Sequence, residues 1–554
     1  MKAVLERSLF FAVLFVALGA LYAPALDYGP NLDDREQIQH VEFHGAIRAL
    51  DTFFQFRPLK NLWFHTLDRW FGEDLQLWRI VGLAVFFLHL IMVELYLERI
   101  TDSRRKAMAG ATVYGFLAVH SSVVMWLSAT HIGISALFLV AALYAADRGI
   151  AGRPAVWFPL SVAGLGVALL SYEAAVVFPA LLVIQAVFLG RSYRTRGGYA
   201  YLGAVAVALV AYLSLRVQLE ARTTAGVENL AWPAGQDWWL TLNSARYVAL
   251  HAFYALDPWQ TFGLRVPDLP AEHAWIAVTG WLVLVAVLIV SAIALVKRRS
   301  LGAFGFLFFF VGIAPLSNLV PVGSGPVADY YLFLPSLGLV VGAIALVEAL
   351  RSRVPIGLAR ALTWGLVVLW VSANAASTRY QRIPAWENPL TLARHARQVQ
   401  GDSFYQRFLA ARIDAGRGDY RRAVEGYAAA LEAAPYHEPS QAGFVVALIN
   451  ARDLDGAAEA LERSSPRQDA PREILRLCLA FVREERGEIE AAAAVYREIA
   501  SEDGPAPVEA KITALIRLTE MSRRWGIETG VPYSVEQAPF DVRSFYLFPG
   551  YQRP

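Results

Sequence analysis

The sequence predicts an all-α chain in two parts: a polytopic helical membrane domain of about eleven spans over residues 1–376, followed by a helical-repeat solenoid over residues 400–525. Three observations predict it. The 554 residues are 56% hydrophobic and 18% charged, with a mean hydropathy of +0.40, too apolar for a soluble protein of ordinary composition. The apolar residues fall in runs of the length needed to cross about 30 Å of hydrocarbon. Beyond residue 376 these runs give way to alanine-rich amphipathic segments with a period of about 34 residues.

The runs are 8–26, 80–97, 108–128, 132–147, 156–172, 174–190, 199–216, 273–296, 303–320, 330–350 and 356–376. The first is long and lacks a small-residue cleavage pattern, so it reads as a retained anchor. Lys2 and Arg7, then Arg99 with Arg104–Lys106, Arg148 with Arg153, Arg191 with Arg194 and Arg196, Lys297–Arg299, and Arg351 with Arg353 all fall on one side of this threading. The positive-inside rule makes that side the cytoplasm. The loops 27–79 and 217–272, the turn 318–329 and everything after residue 376 are then external.

Composition also excludes functions. A formal net charge of +2 gives no electrostatic footprint for nucleic acid. The single cysteine, Cys478, rules out an intrachain disulfide and reads as a buried core thiol. The chain holds no GxxxxGK[ST] loop, no HExxH, no paired CxxC and no GxSxG elbow, so nucleotide hydrolysis, zinc proteolysis and α/β-hydrolase chemistry lack their sequence handles.

In the C-terminal part, GDYRRAVEGYAAALEAAP (418–435) places Ala423, Tyr427, Ala430, Leu431 and Pro435 where a tetratricopeptide repeat has its small-residue contacts, its aromatic and its terminating proline. It resembles that repeat. Similar copies lie at 455–465, with Ala457 and Leu461, and at 487–500, with Ala492 and Tyr496. Stacked repeats present a concave face suited to a peptide or protein, or serve as a cap on the last span. Residues 377–399 read as a linker and 526–554 as a tail.

Candidate chemistry lies in the external loops. Asp33 and Asp34 follow the first span, where one carboxylate serves as general base and the other as N-cap of a helix entering at Arg35. Aromatics and leucines recur at helical spacing between Phe53 and Trp78, with Arg57, Lys60 and Arg69 on the polar side. Such a helix lies in the interface plane and attracts phosphate headgroups, though Arg57 also suits snorkelling. Glu173 sits in a tight external turn and His131 at the external end of a span; each is a cavity residue or a solvated one. His120, near mid-span, suits polar contact between helices. The oxygens of Asp33, Asp34 and Asp329 suit a divalent cation in type, but no further feature favours a metal.

Three stretches carry a family resemblance: LDD (32–34), FRPL (56–59) and SNLVPVGSGPVADYYLFLPSLG (317–338). With them the chain resembles the type C glycosyltransferases, and among these the transmembrane and tetratricopeptide-repeat O-mannosyltransferases and their bacterial relatives. The resemblance implies a sugar donor carried on a polyprenyl phosphate, inversion by an acceptor hydroxyl, and Asp33 or Asp34 as the base. It implies Arg57 and Lys60 as phosphate partners, Arg246 and His251 as further candidates, and Glu173 in a stretch similar to the family's. The chain departs from the family pattern around His120. It also carries Asp329 and Tyr330 where members show a glutamate–arginine pair, which removes a cation. The expected partners are the bilayer, the lipid-linked donor and a protein, lipid or glycan acceptor. A bacterial inner membrane, with the repeats periplasmic, is the expected location. The rival reading is a non-catalytic scaffold or a lipid or polysaccharide transporter, although no internal duplication of the transporter kind is present.

Overall fold

The computed structural model describes residues 2–31, 34, 38, 56–223, 237–259, 264–265, 274–319, 327–351, 353, 355–400, 404–435, 437–464, 469–501, 506, 508–529 and 547–548. Within them the protein is helical apart from one two-residue antiparallel pairing, Leu264 with Ala328 and Arg265 with Val327. Each apolar run of the sequence falls on helix. Seven helices are long and apolar enough to cross a membrane: Val4–Ala25, Leu75–Thr101, Leu127–Ala151, Pro154–Ser171, Arg196–Gln218, Trp275–Arg298 and Ala361–Ala385. Arg104–Gly115 and Ala118–Met125 form an eighth candidate only if taken together across a 57° bend. Glu173–Leu189, Leu301–Leu316 and Ser336–Arg351 are shorter. Length and composition therefore support seven or eight spans among the described residues, where hydropathy alone counts about eleven.

Local chemistry sets several of these boundaries. Asp74 caps the helix Leu75–Thr101 by accepting from the Leu77 N–H, and Pro58 and Pro154 each open a helix in its first turn, where a missing N–H costs nothing. At the 57° bend, the Ser121 hydroxyl turns back onto the Ala118 carbonyl, and the His120 ring bonds the Ser336 hydroxyl at 2.9 Å. The helices Leu301–Ile313 and Ser336–Arg351 pack backbone to backbone. A Cβ on Gly305 would lie 2.6 Å from the Gly338 carbonyl oxygen, so this approach requires glycine.

The bundle has two distinct polar ends. Arg79 and Arg99 lie on one helix twenty residues apart, about 30 Å at 1.5 Å per residue. At the Arg99 end, Asp147 takes both Arg99 and Arg191, Glu94 and Glu98 take Arg7, and Lys106 meets Glu348. At the Arg79 end, Arg79 donates to the carbonyls of Tyr28 and Gly29, drawing in the segment after the first helix. The bent segment 116–129, the turn at Glu173, the 3₁₀ turn Asp329–Leu332 and the helix end at Arg382–Trp386 converge there as well, through the contacts described below.

The stretch expected as a linker continues as a π-helical turn, Thr378–Arg382, and a helix Pro389–Gln400. Beyond it, successive helices pack as antiparallel hairpins: Phe404–Gly416 with Tyr420–Ala433, Glu438–Asn450 with Leu454–Arg463, and Asp469–Glu485 with Ile489–Ala500, before Val508–Trp525. The three hairpin turns use a left-handed residue, Gly418, Arg452 and Gly487, each followed by an acid, Asp419, Asp453 and Glu488. Asp419 and Asp453 cap the helices that follow. Alanines 423, 430, 457, 492 and 493 and tyrosines 427 and 496 are buried, and burial pushes the Cys478 thiol up from its ordinary range.

Candidate functional site

A continuous chain of polar contacts runs through the Arg79 end. Asp34 is fully buried, and its two carboxylate oxygens accept from the main-chain N–H groups of Asn31, at 3.0 Å, and Ser128, at 2.7 Å. It therefore ties the loop after the first helix to the bent segment. The expected neighbour, Asp33, lies outside the described residues. The Asn31 amide donates to the Trp386 carbonyl at 2.8 Å, which fastens the same loop to the end of the last candidate span.

Ser128 passes the contact on. Its carbonyl accepts from His131 Nδ1, which leaves Nε2 as the unprotonated ring nitrogen, 3.3 Å from Arg57 Nη1. Arg57 sits just before Pro58, so the helix start fixes its backbone. Its Nε donates to Glu173 at 2.8 Å, its Nη2 reaches the other carboxylate oxygen, and its guanidinium lies 4.8 Å above the Tyr172 ring. Arg216, from the far end of the helix Arg196–Thr223, approaches the same carboxylate at 3.8 Å. Burial works against the Arg57 charge, but Glu173 more than offsets it, holding the guanidinium above its ordinary value. Arg57 and Glu173 side chains are 16% and 23% exposed, so the pair is reachable from outside the packed helices. Lys60 is buried one turn after Arg57, close enough for its charge to bear on His131.

The remaining candidates occupy neighbouring positions. Asp329 forms a buried ion pair with Arg382 at 2.8 Å. Tyr330, next in sequence, packs edge-on against Trp126 at 5.5 Å, and Trp126 in turn lies 6.2 Å from Trp386. On the helix Asp237–Leu256, Arg246 is half-buried and His251 fully buried, its ring 5.9 Å from Tyr331. His251 Nδ1 donates to the Tyr247 carbonyl at 2.7 Å, and burial lowers its pKa to about 4. It is therefore a neutral imidazole at neutral pH, suited to a hydrogen bond rather than to supplying a cation for phosphate. Among the described residues no three His, Cys, Asp or Glu side chains converge to hold a metal ion.

Of the sequence candidates, the structure brings together Asp34, Arg57, Lys60, His131 and Glu173, with Asp329 and Tyr330 adjoining. Sequence reasoning missed Tyr172, Arg216 and Arg382. Arg216 carried a usable signal, a cation closing an apolar run; for Arg382 only its position just past such a run was visible. This end combines cations, a shielded carboxylate and aromatic walls, an arrangement able to hold an anionic group beside an apolar surface. No family model, no curated protein and no solved structure matches the chain.

Proposed function

We propose that the protein is a membrane glycosyltransferase of the type C kind, moving a sugar from a polyprenyl-phosphate donor to an acceptor hydroxyl at the external face of a bacterial inner membrane. The observation that carries the reading is the linked set Asp34–Ser128–His131–Arg57–Glu173 at one end of a bundle of apolar helices. It places a buried loop anchor, an arginine cluster and partial access in one spot. In this reading Asp34, with both oxygens engaged by main-chain N–H groups, is the positioning residue, and Asp33 beside it is the base. The acceptor oxygen attacks the anomeric carbon and gives its proton to Asp33. The bond to the phosphate oxygen breaks, and the polyprenyl phosphate departs with the electron pair, its charge met by Arg57, Arg216 and Lys60. The hairpins after residue 400, in this reading tetratricopeptide repeats on the external side, hold the acceptor.

The test is transfer of radiolabelled sugar from a polyprenyl-phosphate donor in membranes carrying wild type, Asp33→Asn or Arg57→Gln. Loss of a general base is expected to slow transfer about 10²–10⁴-fold in Asp33→Asn. Transfer undiminished in both variants would leave the second reading, a non-catalytic scaffold. That reading is favoured by one observation: Arg57 is already engaged by Glu173.

A further inference from the structure

Arg382 lies in the last turns of the candidate span Ala361–Ala385, within the π-helical turn Thr378–Arg382, and its side chain is 1% exposed. A guanidinium carries five N–H donors. Nη1 donates to Asp329, while Nε and Nη2 have no hydrogen-bond partner among the described residues, and neither does the Thr378 hydroxyl one turn earlier. A buried arginine at this depth is costly, and leaving two of its nitrogens unbonded makes it costlier. One carboxylate does not account for such a residue. Single π turns inside α-helices are found frequently at functional sites.

The surroundings say where it is aimed. Asp329, which holds Nη1, is followed by Tyr330, a residue within electrostatic reach of Arg57. Trp386, one turn after Arg382, packs on Trp126, the ring that Tyr330 also meets. Among the described residues Tyr22 and His120 also lie within electrostatic reach of Arg382, and neither a phenol nor an imidazole is an acid of the carboxylate kind. The guanidinium thus sits behind the same aromatic wall as the Arg57 cluster.

We infer that Arg382 is a phosphate-binding residue, its Nε and Nη2 reaching two oxygens of one phosphate group while Asp329 fixes the plane of the fork. The inference rests on the proposed function for the source of that phosphate, a lipid headgroup; inorganic phosphate offers the same chemistry. The experiment is thermal unfolding of the full chain in nanodiscs with polyprenyl monophosphate, with polyprenol, or with inorganic phosphate. Wild type is compared with Arg382→Gln/Asp329→Asn, which removes both charges of the pair together.

The expected result is stabilisation of wild type by polyprenyl monophosphate beyond that by polyprenol, with apparent affinity at least about tenfold weaker in the double variant. Should that variant fail to fold, Arg382→Lys keeps the charge but loses the fork, and the same weakening is expected. Stabilisation by inorganic phosphate alone, lost in the variant, supports the phosphate site while counting against a lipid-linked donor. Equal phosphate-dependent shifts in wild type and variant, or none in wild type, would overturn the inference and show a structural ion pair only. The first of these leaves the glycosyltransferase reading standing, because Arg57 and Asp33 are tested separately.

Discussion

At the Arg99 end of the helix bundle two acids, Asp147 and Glu94, are buried while the arginines that meet them are not. Asp147 is 2% exposed, while its partners Arg99 and Arg191 are 32% and 33% exposed. Glu94 is fully buried, and Arg7 reaches it from a half-open position. Long arginine stems cover apolar helix ends while their heads stay near water, an inexpensive way to finish a bundle. At the Arg79 end the arginines are shielded along with their acids: Arg382 is 1% exposed beside Asp329 at 4%, and Arg57 is 16% exposed beside Glu173 at 23%. Taking both members of an ion pair out of water can cost more than their attraction returns, so a buried pair is weak grounds for stability at this end. The difference separates ion pairs that close a fold from ion pairs that hold a charge where a ligand would meet it.

The comparison breaks most readily at Arg57. Replacing it with Met leaves Glu173 shielded with only the more distant Arg216, and the loss of unfolding free energy is expected to be about 2–4 kcal/mol. The double variant Arg57→Met/Glu173→Gln removes the stranded charge and should recover part of that loss. Denaturant titration in mixed micelles measures both. A cost in Arg57→Met no greater than in Arg99→Met would erase the distinction between the ends.

His251 sharpens the same contrast through pH. Its pKa falls from 6.5 to about 4 on burial, so the folded state resists its protonation while the unfolded chain does not. Its contribution is fully present above pH 6.5 and declines as pH falls from 6.5 toward 4. From pH 7 to pH 5 the expected loss is about 2 kcal/mol, read as a drop in unfolding free energy. His251→Gln should flatten that part of the profile. An unchanged profile would mean that the imidazole is solvated in the native state.

Much of the fold was legible because it repeats locally. Each apolar run of the membrane part fell on helix, although the 20-residue helix Asp237–Leu256 lies in a stretch read as an external loop, and the glycine–acid steps at 418–419 and 487–488 mark hairpin turns through backbone conformation and capping, which short sequence patterns encode. The site was legible only as residue types. Asp34 reads equally as a local cap or a base, and what decides its bonding is the Ser128 N–H, 94 residues away. Tyr330 reads as a lost cation, yet Arg382 brings a guanidinium to the adjacent Asp329 from 53 residues further on. Pairings of that separation depend on how helices pack, and no periodicity records them. The 57° bend between Gly115 and Ala118, ahead of Ser128 and His131 in the chain, was likewise hidden, since serines are compatible with a continuous helix.

The smallest expected effect lies at the opposite end. Asp147 holds Arg99 with Nε at 2.8 Å and Arg191 with Nε at 2.9 Å on separate oxygens, so either arginine can be removed without stranding the acid. Both arginines are about one-third exposed, and solvent screens much of their attraction. Arg99→Gln is therefore expected to cost less than about 1 kcal/mol and to leave the proposed sugar transfer unchanged. Arg99→Gln/Arg191→Gln leaves a buried carboxylate with neither partner, and its cost should exceed the sum of the singles. Additive costs in that cycle would mean that Asp147 is hydrated in the native protein, and this end would then owe its stability to helix packing rather than to its ion pairs.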